Sequence, residues 1–119
     1  MPLQADIEIW SGNDVVLNAT IGDGAGGVKD LTGALAIIWV LAKAEGGTPI
    51  LTRDLGAGIA VTAPATLGKF VVTLTPTETE ALVGKGKVYY HECRVTDSAG
   101  KKSTVFWGSA TVRGNSITT

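Results

Sequence analysis

Two alternating runs around one four-residue turn constrain this chain more than anything else in it. Before Asp97-Ser98-Ala99-Gly100, the residues Tyr89, His91, Cys93 and Val95 share one parity, and Tyr90, Glu92, Arg94 and Thr96 share the other. After the turn, Ser103 to Val112 is again rich in β-branched and aromatic residues. Successive side chains of a strand point to opposite faces, so a period of two on either side of an Asp/Ser/Gly turn predicts a β-hairpin. Its inward set is Tyr89, His91, Cys93 and Val95.

The same grammar runs through the rest of the sequence. Ile7 and Ile9 alternate with Asp6, Glu8 and Trp10, and Ser11 to Asp14 reads as a turn. Val15, Leu17, Ala19 and Ile21 form one inward face. The glycines from Gly22 to Gly27 predict a flexible loop. Leu35 to Ala42 is apolar on both parities, which suits a central strand covered on both faces or one face lying at an assembly contact. Ile37, Ile38 and Val40, bracketed by Gly33 and Gly46-Gly47, favour strand over helix there. Pro49 to Leu55, Gly58 to Thr62 and Lys69 to Thr75 are further strands. Thr75-Pro76-Thr77-Glu78 matches a capping box with proline at the first helical position, which predicts a helical turn closing over Ala81 and Leu82 and ending at Gly84. Seven to eight strands spaced by roughly 8–12 residues, with one short helical turn, predict an all-β, immunoglobulin-like Greek-key β-sandwich. Residues 1–119 read as a single domain, with 1–5 as a short N-terminal arm and 114–119 as a polar tail.

Composition narrows the functional classes. The chain has 119 residues, 45% hydrophobic and 18% charged, with a net charge of −1. A chain of this size buries roughly two thirds of its unfolded surface in one core. Such a balance argues against disorder. It also argues against nucleic-acid binding, which needs a concentrated positive surface. Lys85, Lys87, Lys101 and Lys102 sit beside predicted turns, where solvated lysines are ordinary. Cys93 is the single cysteine, so the core must form without an intrachain disulfide, in keeping with a reducing cytoplasm. The N-terminus lacks the pattern of a secretory signal, and the longest apolar run is far shorter than a membrane span. A soluble chain without membrane contact is expected.

The catalytic inventory is thin. His91 is the one histidine, so a multi-histidine metal site is impossible. His91 and Cys93, two apart on a strand, share a face as a nucleophile pair would, but no oxyanion loop or orienting carboxylate accompanies them. A structural histidine and a small buried thiol are the readier interpretation. Asp23 and Asp30 are too few for a calcium cage, and the glycine spacing matches no phosphate loop. Glu78 and Glu80 diverge on a helical turn. No catalytic residue, cofactor or metal is expected.

Trp39 belongs with the core run. Trp10 shares parity with Asp6 and Glu8, and Trp107 shares parity with Val105, Ser109 and Thr111. Both therefore face outward as a candidate interface, unless a β-bulge at Gly108 turns Trp107 inward.

Several short motifs, in order, carry a resemblance. Asp30-Leu31-Thr32-Gly33-Ala34, Gly58-Ile59, and Leu74 through Thr79 come first. Tyr89-Tyr90-His91-Glu92, Val95-Thr96-Asp97 with Gly100, and Ser103-Thr104-Val105 with Gly108 and Thr111-Val112 follow. From about Asp6 to Val112 the chain resembles small bacteriophage virion proteins with an immunoglobulin-like fold, similar to the N-terminal domain of phage baseplate upper proteins. The resemblance implies a non-enzymatic structural protein of the virion, made in the host cytoplasm. It would dock onto tail, baseplate or fibre components or decorate the capsid surface, with other virion structural proteins as partners and multiple copies in a symmetric assembly. The segments by which baseplate upper proteins link to receptor-binding proteins have no counterpart in this sequence. The competing reading is a bacterial surface or carbohydrate-binding β-sandwich module, which would set exposed aromatics beside Asp, Asn or Gln side chains. An enzyme would have only His91 and Cys93 to work with.

Overall fold

The structure, a computed structural model, describes residues 3–22, 27–82 and 88–114. Nine strands follow in order: β1 (Leu3–Gln4), β2 (Ile7–Trp10), β3 (Val15–Thr20), β4 (Ala36–Ala42), β5 (Pro49–Leu55), β6 (Gly58–Val61), β7 (Lys69–Leu74), β8 (Val88–Thr96) and β9 (Lys102–Arg113). One helical turn, α1 (Pro76–Glu80), lies between β7 and β8. Hydrogen bonding runs β1-β9-β8-β4-β5-β6-β7-β3, with β2 also on β9. The path folds back on itself where β5 meets β6, a junction of only two residue pairs, Asp54 with Gly58 and Leu55 with Ile59. Phe70 of β7 stacks on Phe106 of β9, ring centroids 6.3 Å apart, although these strands are not sheet neighbours. That contact crosses the core between two layers. The β3–β4 and β7–β8 connections pass from one layer to the other, which makes this an immunoglobulin-like Greek-key sandwich.

The alternation of the sequence becomes the inside and outside of these layers. Ile37, Trp39 and Leu41 of β4, Phe70, Val72 and Leu74 of β7, and Tyr89, His91, Cys93 and Val95 of β8 are all buried. The other parity of β4 (Ala36, Ile38 and Val40) is half-buried, so this strand is covered fully on one face and partly on the other. The turn between β8 and β9 is closed as its residues suggest: Asp97 Oδ1 accepts the Ala99 and Lys101 amide N–H groups, and Gly100 takes φ 84°. In the capping box the Glu78 amide donates to Thr75 Oγ1 at 3.3 Å, and the Thr75 amide to Glu78 Oε1 at 2.9 Å.

Four expectations need correction. The N-terminal arm is not all arm, because Leu3 and Gln4 pair in parallel with Phe106 and Trp107 of β9. That addition brings the strands to nine rather than seven to eight. What admits the extra strand is Gly108, where a Cβ would overlap the Ala5 carbonyl, so a side chain would push the N-terminal segment off β9. Next, α1 is not the only helical turn: Ala65–Leu67 forms a 3-10 turn ended by Gly68 at φ 67°. Third, α1 stops at Glu80 with Ala81 as its cap; Leu82 is buried, but Ala81 is exposed. Finally, the irregularity in the β8–β9 ladder is not at Gly108 but between Cys93 and Arg94, which face Phe106 and Thr104 and leave Val105 unpaired. The expected stop at Gly84, the lysines 85 and 87, most of the 22–27 glycine loop and nearly all of the 114–119 tail lie outside the described residues.

Candidate interaction surface

Beyond the bulge, β9 keeps one parity to its end. Phe106, Ala110 and Val112 point into the core, while Trp107, Ser109, Thr111 and Arg113 point out. Trp107 is 36% exposed, and Trp10, at the end of β2, is 47% exposed. Both face outward, on the same side of the same layer, because Trp10 is the register partner of Arg113 and Trp107 that of Gln4 and Glu92. They are not adjacent. Trp107 and Arg113 are six positions apart along β9, roughly 20 Å at strand rise. Between them Glu8 and Arg113 form an exposed ion pair at 2.6 Å. Two aromatic sites therefore share the face, rather than one cluster.

The surroundings of Trp107 include partners that sequence reasoning missed. Parallel pairing of β1 with β9 sets Gln4 next to Trp107, and the chain then crosses Gly108 at Ala5-Asp6. Ala5 N–H donates to the Trp107 carbonyl at 2.7 Å, and Ser109 N–H donates to Asp6 Oδ1 at 3.0 Å. That second bond is the main reason the Asp6 carboxyl lies below its usual pKa. Gln4, Asp6, Lys43, Val88, Tyr90, Trp107 and Ser109 rim a shallow hollow of about 340 Å³. Gly108 was the one available signal, since a glycine amid β-branched residues marks close backbone approach.

His91 and Cys93 are placed together on the inner face, but as core residues. The Trp39 indole N–H donates to His91 Nδ1 at 3.1 Å, so the imidazole proton sits on Nε2, which reaches the Ala5 carbonyl at 2.5 Å. Both ring nitrogens are thus engaged, and none is left to accept a thiol proton. Burial holds His91 below its usual pKa, with the Ala5 bond and Asp6 pulling weakly the other way. Burial alone pushes the Cys93 thiol up to about 12, opposite to what a nucleophile requires. The ring sits between Trp39 and Phe106, with centroids 6.2 and 5.7 Å away. It joins the core to the N-terminal segment.

Of the remaining candidates, Asp30 and Glu78 are also engaged, and Asp23 lies outside the described residues. Asp30 Oδ1 accepts the Thr32 amide, a local turn. Glu78 pairs with Arg53, whose guanidinium holds the carboxyl down to about 2. Arg53 Nε donates in turn to the Thr73 carbonyl at 3.0 Å. Glu80 is exposed. Among the described residues no group of three or more His, Cys, Asp or Glu could hold a metal ion, and no helix is long and apolar enough to cross a membrane.

No protein-family model and no curated protein matches the chain. Among solved structures it is similar to a chain in the crystal structure of ICOS in complex with ICOS-L and an anti ICOS-L VNAR domain, at 12% identity and a TM-score of 0.46. That alignment covers 96% of this chain and 56% of the other, so this chain spans little more than half of that chain's length.

Proposed function

We propose that this protein is a non-enzymatic structural module of a bacteriophage virion, made in the host cytoplasm and docked through the outward face that carries Trp107 and Trp10. The observation that carries the docking role is the exposure of two tryptophans on one sheet face, beside Val88 and the half-buried Tyr90. Large aromatics concentrate binding energy at protein contacts, and loss of one commonly costs about 2 kcal/mol or more. Many copies at fixed sites would add avidity to modest individual contacts. The resemblance of the ordered motifs to those of baseplate upper proteins favours the virion setting; tail, baseplate, fibre and capsid surface are the candidate partners. The absence of a free base beside Cys93 supports the non-enzymatic reading.

The hollow beside Trp107 favours one second reading. Gln4, Asp6 and Ser109 around an exposed indole resemble the composition of a saccharide-binding surface, so a bacterial surface or carbohydrate-binding module is the alternative. One experiment separates them. Purified wild-type and Trp107→Ser protein are mixed with phage particles lacking this chain, and occupancy is read by sedimentation; both proteins are also titrated with soluble host polysaccharide. Wild-type occupancy that falls at least tenfold in Trp107→Ser, with the variant still folded at the assay temperature and its melting temperature lowered by only a few degrees, is the expected result. Failure to load particles, with Trp107-dependent polysaccharide binding instead, would overturn the virion reading.

A further inference from the structure

A second surface, on the opposite edge of the sandwich, is built for a different kind of contact. β3 is the terminal strand of the hydrogen-bonded path, paired with β7 and with nothing on its other side among the described residues. The Ile21 amide donates to the Gly68 carbonyl at 2.8 Å, which fixes the phase of the ladder. In an antiparallel pair, residues alternate between those bonded to the neighbour and those whose N–H and C=O point away. Val15, Leu17 and Ala19 therefore bond to β7, and the backbone groups of Val16, Asn18 and Thr20 point outward. An edge strand is usually blunted by lysine, proline or a bulge. Val15-Val16-Leu17-Asn18-Ala19-Thr20 has no charge and no proline, and its register with β7 runs unbroken.

The interior is unfinished along the same edge. The inward residues of β3 (Val15, Leu17 and Ala19) are only half-buried, whereas those of β7 are fully buried. A cleft of about 850 Å³ runs beside them, with β3 as one wall and Leu3, Ile7, Val105 and Phe106 among the residues of the other. Leu3, although paired with Phe106, is 63% exposed. Among the described residues, the charged side chains lining the cleft are Lys29 and Lys101, with no carboxylate beside them in the lining. Asp97 lies near both lysines and offsets one of their charges. Free backbone donors and acceptors, an apolar floor and, among the described residues, a net positive end together match the chemistry of an extended chain.

We propose that this cleft accepts a β-strand donated by a partner protein, one with alternating apolar side chains and acidic residues at its N-terminal end. The strand runs antiparallel to β3, so its first residues meet Lys29 and Lys101. Its backbone bonds to Val16, Asn18 and Thr20, and alternate side chains fill the space beside Leu17 and Ala19. Main-chain bonds supply affinity in such strand addition, and the pockets for alternate side chains supply selectivity. The site is separate from the Trp107 face and does not depend on the virion reading.

The test uses the whole chain and a synthetic peptide, Asp-Asp-Thr-Val-Thr-Val-Thr-Val, with three comparisons. One peptide is N-methylated at alternate residues, one carries Lys-Lys in place of Asp-Asp, and one protein variant is Asn18→Pro. Proline at that position removes an outward N–H and no bond to β7. Saturable binding of the first peptide is expected, weakened at least tenfold by N-methylation, by the Lys-Lys exchange and by Asn18→Pro, with an unchanged urea midpoint for the variant. The N-methylation arm uses the unaltered protein, so it stands even if Asn18→Pro folds poorly. No binding, or binding indifferent to N-methylation, overturns the proposal. Concentration-dependent dimerisation that Asn18→Pro abolishes would assign the edge to a second copy and also overturn it.

Discussion

β4 and β3 are short strands of similar length that both set apolar side chains on their inward face, yet they do opposite things in the same sandwich. Every inward residue of β4 is fully buried and its outward residues Ala36, Ile38 and Val40 are half-covered, because β5 and β8 flank it on both sides. β3 has one neighbour, and none of its residues is fully buried. The outward parity differs in composition, with Asn18 and Thr20 in β3 against Ile38 and Val40 in β4, but the inward parity is apolar in both, and there position in the hydrogen-bonded order separates them. An alternating pattern states which side chains face inward; it does not state whether anything waits there to cover them.

The largest test of that contrast is a matched truncation. Leu41→Ala in β4 should cost about 2–5 kcal/mol, the range for a fully buried leucine that leaves a cavity. Leu17→Ala in β3 should cost about 1–2 kcal/mol, because part of that side chain is already wet. Urea unfolding of the two variants gives the comparison directly. Equal costs would mean that the β3 side is covered in solution, and the contrast would fail.

A pH titration sharpens the same division by asking where the closed half is held. The folded-state pKa of His91 lies below its unfolded value of 6.5, so the unfolded chain takes up the proton first. Stability is then complete above pH 6.5 and declines as pH falls below it. A second proton on the ring would place N–H against the Trp39 indole N–H and break that bond. The expected result is a urea midpoint that drops below pH 6.5 in the wild type and loses that dependence in His91→Gln. A profile flat down to pH 4.5 would show that the ring is not held between Trp39 and Ala5.

A different carboxylate acts in a separate window. Glu78 is depressed from 4.5 to about 2 by Arg53, so its contribution is present above pH 4.5 and disappears as pH falls through about 2. Glu78→Gln retains the capping-box geometry, since glutamine serves there too. It should cost on the order of 1 kcal/mol at neutral pH, and less at high salt, because both side chains of the pair stay partly wetted. No change in the urea midpoint would remove the tie between α1 and β5 from the fold's stabilising contacts.

Much of this was legible in the sequence where the determinant was local. The Asp97–Gly100 turn, the Thr75–Glu78 cap and the inward parity of Tyr89, Cys93 and Val95 follow from neighbours a few residues apart. The rest depended on partners that sequence spacing does not reveal. His91 is held by Trp39, 52 positions away, and by Ala5, 86 positions away. Parallel pairing of Leu3–Gln4 with β9 has no turn to announce it; its sole local sign is Gly108, which also admits a bulge as an explanation. Gln4 and Asp6 therefore could not be read as neighbours of Trp107. The 3-10 turn at Ala65–Leu67 follows Pro64 without a side-chain cap, so it lacks the signature that marked α1.

The smallest expected effects belong to the outer face, and they decide how the two tryptophans differ. Trp107 is hemmed by Gln4 and Glu92 as register partners on either side, while Trp10 sits at the end of β2 beside Arg113. Removing part-exposed apolar area costs in proportion to what was covered. Trp107→Ser should therefore lower stability by about 1 kcal/mol, and Trp10→Ser by about 0.5 kcal/mol or less, both well short of Leu41→Ala. Tryptophan fluorescence and urea midpoints check this together, since the buried Trp39 should dominate the blue-shifted emission and each serine variant should remove only red-shifted signal. A Trp10→Ser cost near that of Leu41→Ala would place the indole in the core and leave Trp107 as the one exposed tryptophan on the face. Small costs for both would show that the fold needs neither of two indoles roughly 20 Å apart, so that either can be replaced in a docking assay without unfolding the chain.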